Sequence, residues 1–311
     1  MDNITPVVTV IMPMKNAEAY VYDAISSILK QDFQCFELIV VDDGSTDASR
    51  EIAESFPDNR VKVIAGPKTG AANAFNAALN IAAGKYIANC DADDLYPEDR
   101  LTWQVKYLEE NIEFDAVCGM YTTMDSNAVI ISQFNCGEMQ ESITNELLTG
   151  KTRTSFCTFL VRHEALLAVE GYRSFFVSSY DIDLQLRIAE HYNIRYEPKN
   201  TYYYRLHDSS ITHTPASNKR VFFEETARLF LQQRLANGMD DLQRGVPPRI
   251  PSFESLPSKS IEQISGMLTS ESWRLHREGQ KLKAICKGCK VCLKKPCSLA
   301  SWRNLAALIV K

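Results

Sequence analysis

Apolar residues in the first hundred positions alternate between two patterns. Short runs rich in β-branched residues, VVTVIM (7–12), FELIVV (36–41), VKVIA (61–65) and YIANC (86–90), show little polar alternation and predict strands buried on both faces of a sheet. Between them, Val21, Ala24, Ile25, Ile28 and Leu29 recur at helical spacing, and shorter apolar faces lie at 52–56 and 77–82. This βαβαβαβ order predicts a mainly parallel, Rossmann-like α/β sheet flanked by helices.

The pattern then changes. After Pro97, EDRLTWQVKYLEEN places Leu101, Val105 and Leu108 on one face of a helix. Added strands are expected at 115–121, 155–161 and 201–206, with a helix over 181–192 and another near 217–236. Four prolines within 243–260 predict an extended linker, and 261–311 read as a helical extension.

Composition narrows the class: 311 residues with 45% hydrophobic and 23% charged content exclude disorder, collagen and a disulfide miniprotein. A net charge of −5 argues against a general nucleic-acid binder. That net value hides an asymmetry, because residues 274–311 carry +9 and residues 1–273 carry −14. Nine scattered cysteines fit free thiols in a reducing cytosol. No secretion signal or membrane-spanning run is seen, so the expected location is the cytoplasm, with the basic tail a candidate for the inner membrane face.

Two acidic clusters carry the candidate chemistry. Asp42 and Asp43 end the second predicted strand, where open α/β sheets bind ligands, and can accept hydrogen bonds from a base or ribose. The plainer reading is a strand-to-helix turn, with Gly44 permitting the bend and Ser45, Thr46 or Asp47 as a cap. Asp91-Ala92-Asp93-Asp94 follow the fourth strand, and such carboxylates repel one another unless a cation such as Mg²⁺ joins them. Alone, that cluster also fits a solvated loop.

Taken together, VTVIMPMKN, IVVDDGSTD, GAANAFNAAL, AAGKYIANCDADD and PEDRL resemble the nucleotide-binding half of family 2 glycosyltransferases of the GT-A fold. GYRSFFVSSYDIDLQLR (171–187) and YYYRLHDSSIT (202–212) extend the resemblance. It implies a catalytic domain over 1–212, divided into a nucleotide-sugar half (1–110) and an acceptor half (111–212), before a helical segment at 213–242. It assigns Pro13, Asp42 and Asp43 to a base such as uracil, Asp91, Ala92 and Asp93 to the donor diphosphate, and Asp91 and Asp93 to Mn²⁺ or Mg²⁺. Asp181 stands where the family carries its catalytic base; His207 and His213 are candidates to reach the metal or a donor phosphate, with surface-loop histidines as the plainer reading, and Arg205 is a candidate phosphate partner.

Two positions depart from the pattern. Tyr180 replaces the first acid of the base pair, and Phe75 stands where many relatives carry an arginine, leaving Lys68 or Asn73 for that donor contact. The implied activity is an inverting transfer from a nucleotide-sugar donor, UDP-linked, to a saccharide or lipid-linked hydroxyl acceptor in surface polysaccharide or glycolipid synthesis. A non-catalytic nucleotide-sugar-binding scaffold is the alternative; a sugar-phosphate nucleotidyltransferase is disfavoured because MPMKNAEAY has no Gly or Arg. Cys286, Cys289, Cys292 and Cys297 are spaced like a metal motif but fall in a helical pattern, so they are expected as buried apolar-face thiols. Lysines and apolar residues of the tail suggest an anionic membrane surface; the competing reading is that the same apolar residues pack against the catalytic domain or a partner subunit and leave the lysines solvated.

Overall fold

The computed structural model describes residues 5–134, 136–207, 218–253 and 260–310. The described residues fold as two compact units: those within 1–121, 135–203 and 218–253 form the first, and those within 122–134, 204–217 and 254–311 the second.

In the first unit, β1 (Val8–Met14), β2 (Phe36–Asp42), β3 (Val61–Ala65) and β4 (Tyr86–Asn89) pair in parallel in the order β3-β2-β1-β4. The helices between them are α1 (Val21–Leu29), α2 (Ser49–Glu54) and α3 (Ala71–Leu79). Central strands β1 and β2 are buried along almost their whole length, as their unbroken apolar runs require. One polar network lies inside this sheet. Glu37 accepts hydrogen bonds from Thr9 Oγ1 at 2.7 Å, Ala83 N at 2.8 Å and Lys62 Nζ at 2.6 Å. Burial would raise the Glu37 carboxyl, but these donors and the lysine charge hold it below its ordinary value. Gly84 must lack a side chain here, since a Cβ would stand 2.3 Å from Thr9 N.

Beyond α4 (Arg100–Glu110) the sheet changes character. β5 (Ala116–Asp125) and β6 (Ile130–Phe134) pair with each other; β7 (Glu141–Ser142) and α5 (Thr144–Leu148) follow. Next come β8 (Leu160–Arg162), α6 (His163–Ala168), α7 (Tyr180–Ala189) and β9 (Ile194–Leu206). The sheet continues from β4 as β8-β5-β9-β7, with β8 antiparallel to both β4 and β5. The strand expected at 155–161 is a 3₁₀ turn (Phe156–Thr158) ahead of the short β8. Backbone closure from Thr158 N to Ser155 O, reinforced by Thr158 Oγ1, takes those residues out of the ladder.

Helix α8 (Asn218–Asn237) packs Phe223, Ala227, Phe230 and Leu231 into the same core as Phe176, Leu184 and Ile188. A buried ionic cluster ties it to α7. Asp183, fully buried, accepts from Arg173 Nε at 3.0 Å and Arg187 Nε at 2.8 Å, while Arg173 Nη1 and Arg234 Nη1 both reach Asp240. Glu190 completes the set by accepting from Arg234.

The second unit holds α9 (Ser260–Arg277), α10 (Lys281–Lys294) and α11 (Leu299–Val310) together with the β6 hairpin and the end of β9. Ile131 and Leu206 are buried with Ile264, Leu268 and Val291. The apolar requirement of α9 and α10 therefore groups 122–134 with the tail, where the sequence suggested a single domain over 1–212. Residues 246–253 of the expected linker lie outside helix and strand. Of the four tail cysteines only Cys292 is buried; Cys286, Cys289 and Cys297 are exposed, which corrects the expectation of a buried set. The reason is helical phase: the buried strip of α10 runs through Ala284, Gly288, Val291 and Cys292, and the other thiols fall outside it.

Candidate active site

The carboxyl ends of β1, β2 and β4 carry most of the residues singled out by the sequence. Pro13 is the penultimate residue of β1, in register with Val41. Asp42 closes β2 and Asp43 follows it; they are 8% and 2% exposed. Asp43 N donates to Met14 O at 2.8 Å, and Gly66 N donates to Asp42 O at 2.8 Å, so the ends of β1, β2 and β3 are bound together by backbone.

Each Asp43 oxygen accepts a backbone donor from the loop before α3: Lys68 N at 2.6 Å and Gly70 N at 2.7 Å. That loop turns through left-handed backbone at Lys68 (φ 61°) and Gly70 (φ 103°). A buried carboxylate accepting main-chain N–H groups is a strong restraint, so Asp43 fixes the wall that presents Lys68 and Asn73. Lys68 is exposed with its stem against Gly44, and Asn73 Nδ2 donates to Thr69 Oγ1 at 3.0 Å. Asp42 Oδ1 accepts Ser45 N at 2.9 Å to close the turn.

A second latch is not legible in the sequence. Asn16 Oδ1 accepts Thr46 N at 2.8 Å, Ala17 N donates to Ser49 Oγ at 2.7 Å, and Ala48 N donates to Glu18 Oε2 at 3.0 Å. These bonds fasten the loop after β1 to the loop after β2. Such short polar residues were the available signal, but their partners lie about thirty positions away.

The acidic loop after β4 rests on an aromatic and cationic bed. Asp91 N donates to Tyr202 Oη at 2.9 Å, and Tyr96 Oη donates to Asn89 O at 2.6 Å. Below them Arg100, fully buried, stacks 3.9 Å from the centre of the Tyr96 ring and donates to Phe159 O and Gln104 Oε1. Ala92 is 6% exposed, so the chain turns inward between two half-buried acids. Burial, then the charges of Asp93 and Asp181, push the Asp91 carboxyl up to about 7 despite the Asn89 donor.

Asp181 sits in the first turn of α7, behind Ser179 in left-handed backbone (φ 54°). Burial raises its carboxyl, the Arg220 charge and N–H groups of its own turn oppose the rise, and Glu224 adds to it. Tyr180 is also pushed up, by burial and by the charges of Asp91, Asp181 and Asp93. The departure at Tyr180 thus places a phenol in the electrostatic reach of three carboxylates. It is held there edge-on to Tyr172 (5.0 Å), which meets Phe75 (4.8 Å) and Phe156 (5.9 Å) in turn. Phe75 is fully buried, so the position expected to face the donor is core.

Hence Asp93 and Asp181 lie within electrostatic reach of Asp91 and of Tyr180, while Pro13, Asp42, Asp43, Lys68 and Asn73 belong to the neighbouring strand ends and loop. His207 is buried at the end of β9 and belongs to the second unit, as does Arg205, which donates to Ser126 O at 2.9 Å. His213 and the rest of the DSSIT loop lie outside the described residues. Among the described residues no group of three or more His, Cys, Asp or Glu forms a metal cage. Asp91 and Asp93 offer oxygen donors of the kind that Mg²⁺ and Mn²⁺ take, and two carboxylates would leave the rest of such a shell to diphosphate oxygens and water.

A parallel half-sheet with acids at its strand ends, joined to an antiparallel half with one more acid on a helix, is the arrangement of a GT-A glycosyltransferase. Residues 9–176 match Glycosyl transferase family 2, and the chain belongs to that family. It is 37% identical over 127 residues to glycosyltransferase GlyG of Streptococcus pneumoniae, covering 40% of this chain and 42% of the relative. Similarly, it is 38% identical over 125 residues to the UDP-Glc:alpha-D-GlcNAc-diphosphoundecaprenol beta-1,3-glucosyltransferase WfgD of Escherichia coli, covering 40% and 49%. These alignments span less than half of either relative. The putative glycosyltransferase EpsH of Bacillus subtilis aligns over 91% of the chain and 83% of its own length at 28% identity. In fold, the chain is similar to S. aureus TarS 1-349 in complex with UDP-GlcNAc, with a TM-score of 0.61, 18% identity and 97% and 79% coverage. It is also similar to a Pyrobaculum calidifontis mannosyltransferase in complex with GDP-Man and Mn²⁺, with a TM-score of 0.53, 21% identity and 98% and 80% coverage.

Proposed function

We propose that the protein transfers a sugar, with inversion, from a UDP-sugar to a hydroxyl of a saccharide or lipid-linked saccharide during surface polysaccharide or glycolipid synthesis. The observation that carries this reading is the placement of Asp93 and Asp181 around a buried Asp91, whose carboxyl is raised first by burial and then by their charges. Three such acids are costly to hold together unless a cationic or proton-bearing ligand uses them.

Pro13, Asp42 and the loop fixed by Asp43 would receive the base and ribose, with Lys68 and Asn73 at its rim. Asp91 and Asp93, with the Ala92 turn between them, would hold Mn²⁺ or Mg²⁺ against the donor diphosphate. When bound, the cation supplies Lewis-acid stabilisation of charge on the departing nucleoside diphosphate. Asp181 acts as general base, accepting the proton of the acceptor hydroxyl as its oxygen forms the new bond to the anomeric carbon. Its raised carboxyl suits that task, since a base closer to neutrality is a better proton acceptor once ionised. Tyr180 would supply a hydroxyl beside these acids in place of the family's first carboxylate.

The lipid-linked acceptor is suggested by the activity for which the E. coli relative is named. Thermal-shift titration with UDP-, GDP- and dTDP-sugars, with and without Mn²⁺, tests the donor class. Stabilisation by UDP-sugars that grows with Mn²⁺ and disappears in Asp93→Asn is the expected result. Unchanged binding and metal response in that variant would remove the acidic loop from the site. Binding without turnover on any acceptor would favour the scaffolding alternative.

A further inference from the structure

From Gln280 to Lys311 the chain has eight Lys/Arg and no acid. Helix α10 sorts this segment into three strips. Ala284, Gly288, Val291 and Cys292 face inward, and Gly288 lets α11 approach so closely that a Cβ would stand 3.0 Å from Leu308 Cδ1. Leu282, Cys286, Cys289 and Leu293 form an outward apolar strip, with Leu282 84% and Leu293 80% exposed. Between these strips runs a column of lysines, 283, 287, 290 and 294.

Helix α11 repeats the division: Leu305 and Leu308 are buried, whereas Leu299, Trp302, Ile309 and Val310 are exposed. On the lysine side of α10, a groove of about 380 Å³ opens toward α9, lined by Arg274, Lys283, Lys287, Lys290, Glu271 and Glu278. Both acids pair with the single Arg274, at 2.8 and 2.7 Å, so the three lysines outweigh the one negative charge left over and the groove is net positive.

We propose that the outward faces of α10 and α11 dock on an anionic lipid bilayer, the apolar strips entering the interface and the lysine groove receiving lipid phosphate. A surface with exposed leucines, a half-exposed tryptophan and an excess of cations has the composition of an interfacial helix pair. No helix among the described residues is long and apolar enough to cross the membrane, so the contact is peripheral. Charge selects lipid over a second copy of the chain: pairing two such faces would set net-positive lysine columns against each other, whereas phosphates complement them. Lys287 and Lys294 are partly engaged by Ile131 O and Asp125, which leaves Lys281, Lys283, Lys290, Lys295 and Arg303 as the principal lipid contacts.

The test needs no donor or acceptor, so it stands apart from the proposed transfer reaction. The full chain is sedimented with vesicles of phosphatidylcholine alone or with about one-third phosphatidylglycerol, and tryptophan emission is followed. Binding is expected only with phosphatidylglycerol, weakening about fivefold for each charge removed in Lys283→Ser and Lys290→Ser. The double variant Leu282→Ser/Leu293→Ser, at exposed positions that leave the core intact, should bind at least tenfold more weakly. A blue shift lost in Trp302→Phe places α11 in the interface. Equal sedimentation with and without anionic vesicles, binding indifferent to these substitutions, or a dimer that the leucine double variant converts to monomer would each overturn the proposal.

Discussion

Asp183 and Asp181 are two residues apart on α7, and a base assignment to one requires a different role for the other. Asp183→Asn is the discriminating perturbation. Its carboxylate is one of three that balance three arginines: Asp183, Asp240 and Glu190 against Arg173, Arg187 and Arg234. The side chains of Asp183 and Asp240 are 0% exposed and that of Arg173 only 14%, so removing one charge leaves a buried surplus positive charge. Breaking a buried ion pair by deleting one partner costs about 3–5 kcal/mol, and an amide that keeps one acceptor oxygen should fall near about 3 kcal/mol. Against a total stability of about 5–15 kcal/mol this is a large share. At about 2–4 °C per kcal/mol for a domain of this size, melting should fall by roughly 6–12 °C. Calorimetry and urea unfolding measure the loss, and turnover per folded molecule, assayed well below the new melting point, should stay within a few fold of the parent. A variant that melts with the parent yet loses turnover a hundredfold would refute this and move the base to Asp183. The same network predicts an acid limit. Burial would raise the Asp240 carboxyl, but the donors Arg173, Gln243 N–H and Arg234 hold it below its ordinary 3.8. Its contribution is therefore complete above that value and lost as pH falls through the lower folded one.

The converse holds for Asp181→Asn, which should lower turnover by about 10²–10⁴-fold while leaving donor affinity intact, as steady-state kinetics and calorimetric titration would show. Because burial raises the Asp181 carboxyl, wild-type stability from this group is present at acid pH and lost as pH rises through the folded value; the variant should accordingly gain melting temperature at pH 8 relative to the parent, but not at pH 3. Gly171→Ala should lower stability by about 1–3 kcal/mol in urea unfolding, since its φ is 60° and a Cβ would stand 2.4 Å from Asn76 Oδ1, the acceptor for Tyr172 N. A variant as stable as the parent would show that the loop carrying Tyr172 yields easily.

Strand periodicity was legible without coordinates because a strand buried on both faces must be apolar throughout, and β1, β2 and β4 obey that rule locally. The acids at their ends were equally visible, since a polar cluster after an apolar run marks the carboxyl end of a strand. Other features depended on residues far apart in the chain. Nothing around Asp43 announces that both oxygens of its carboxylate accept backbone donors, Lys68 N and Gly70 N, twenty-five and twenty-seven positions on. Asp181 and Asp183 look alike in sequence, and only the arrival of Arg173, Arg187 and, through Asp240, Arg234 makes one of them structural. Phe75 and Tyr180 read as departures until Tyr172 is seen packing between them. Local propensity and patterning act over a few residues and can be read from order alone. Charge compensation, burial and the grouping of 122–134 with the tail are set by neighbours in space, so they were decided only when the chain folded.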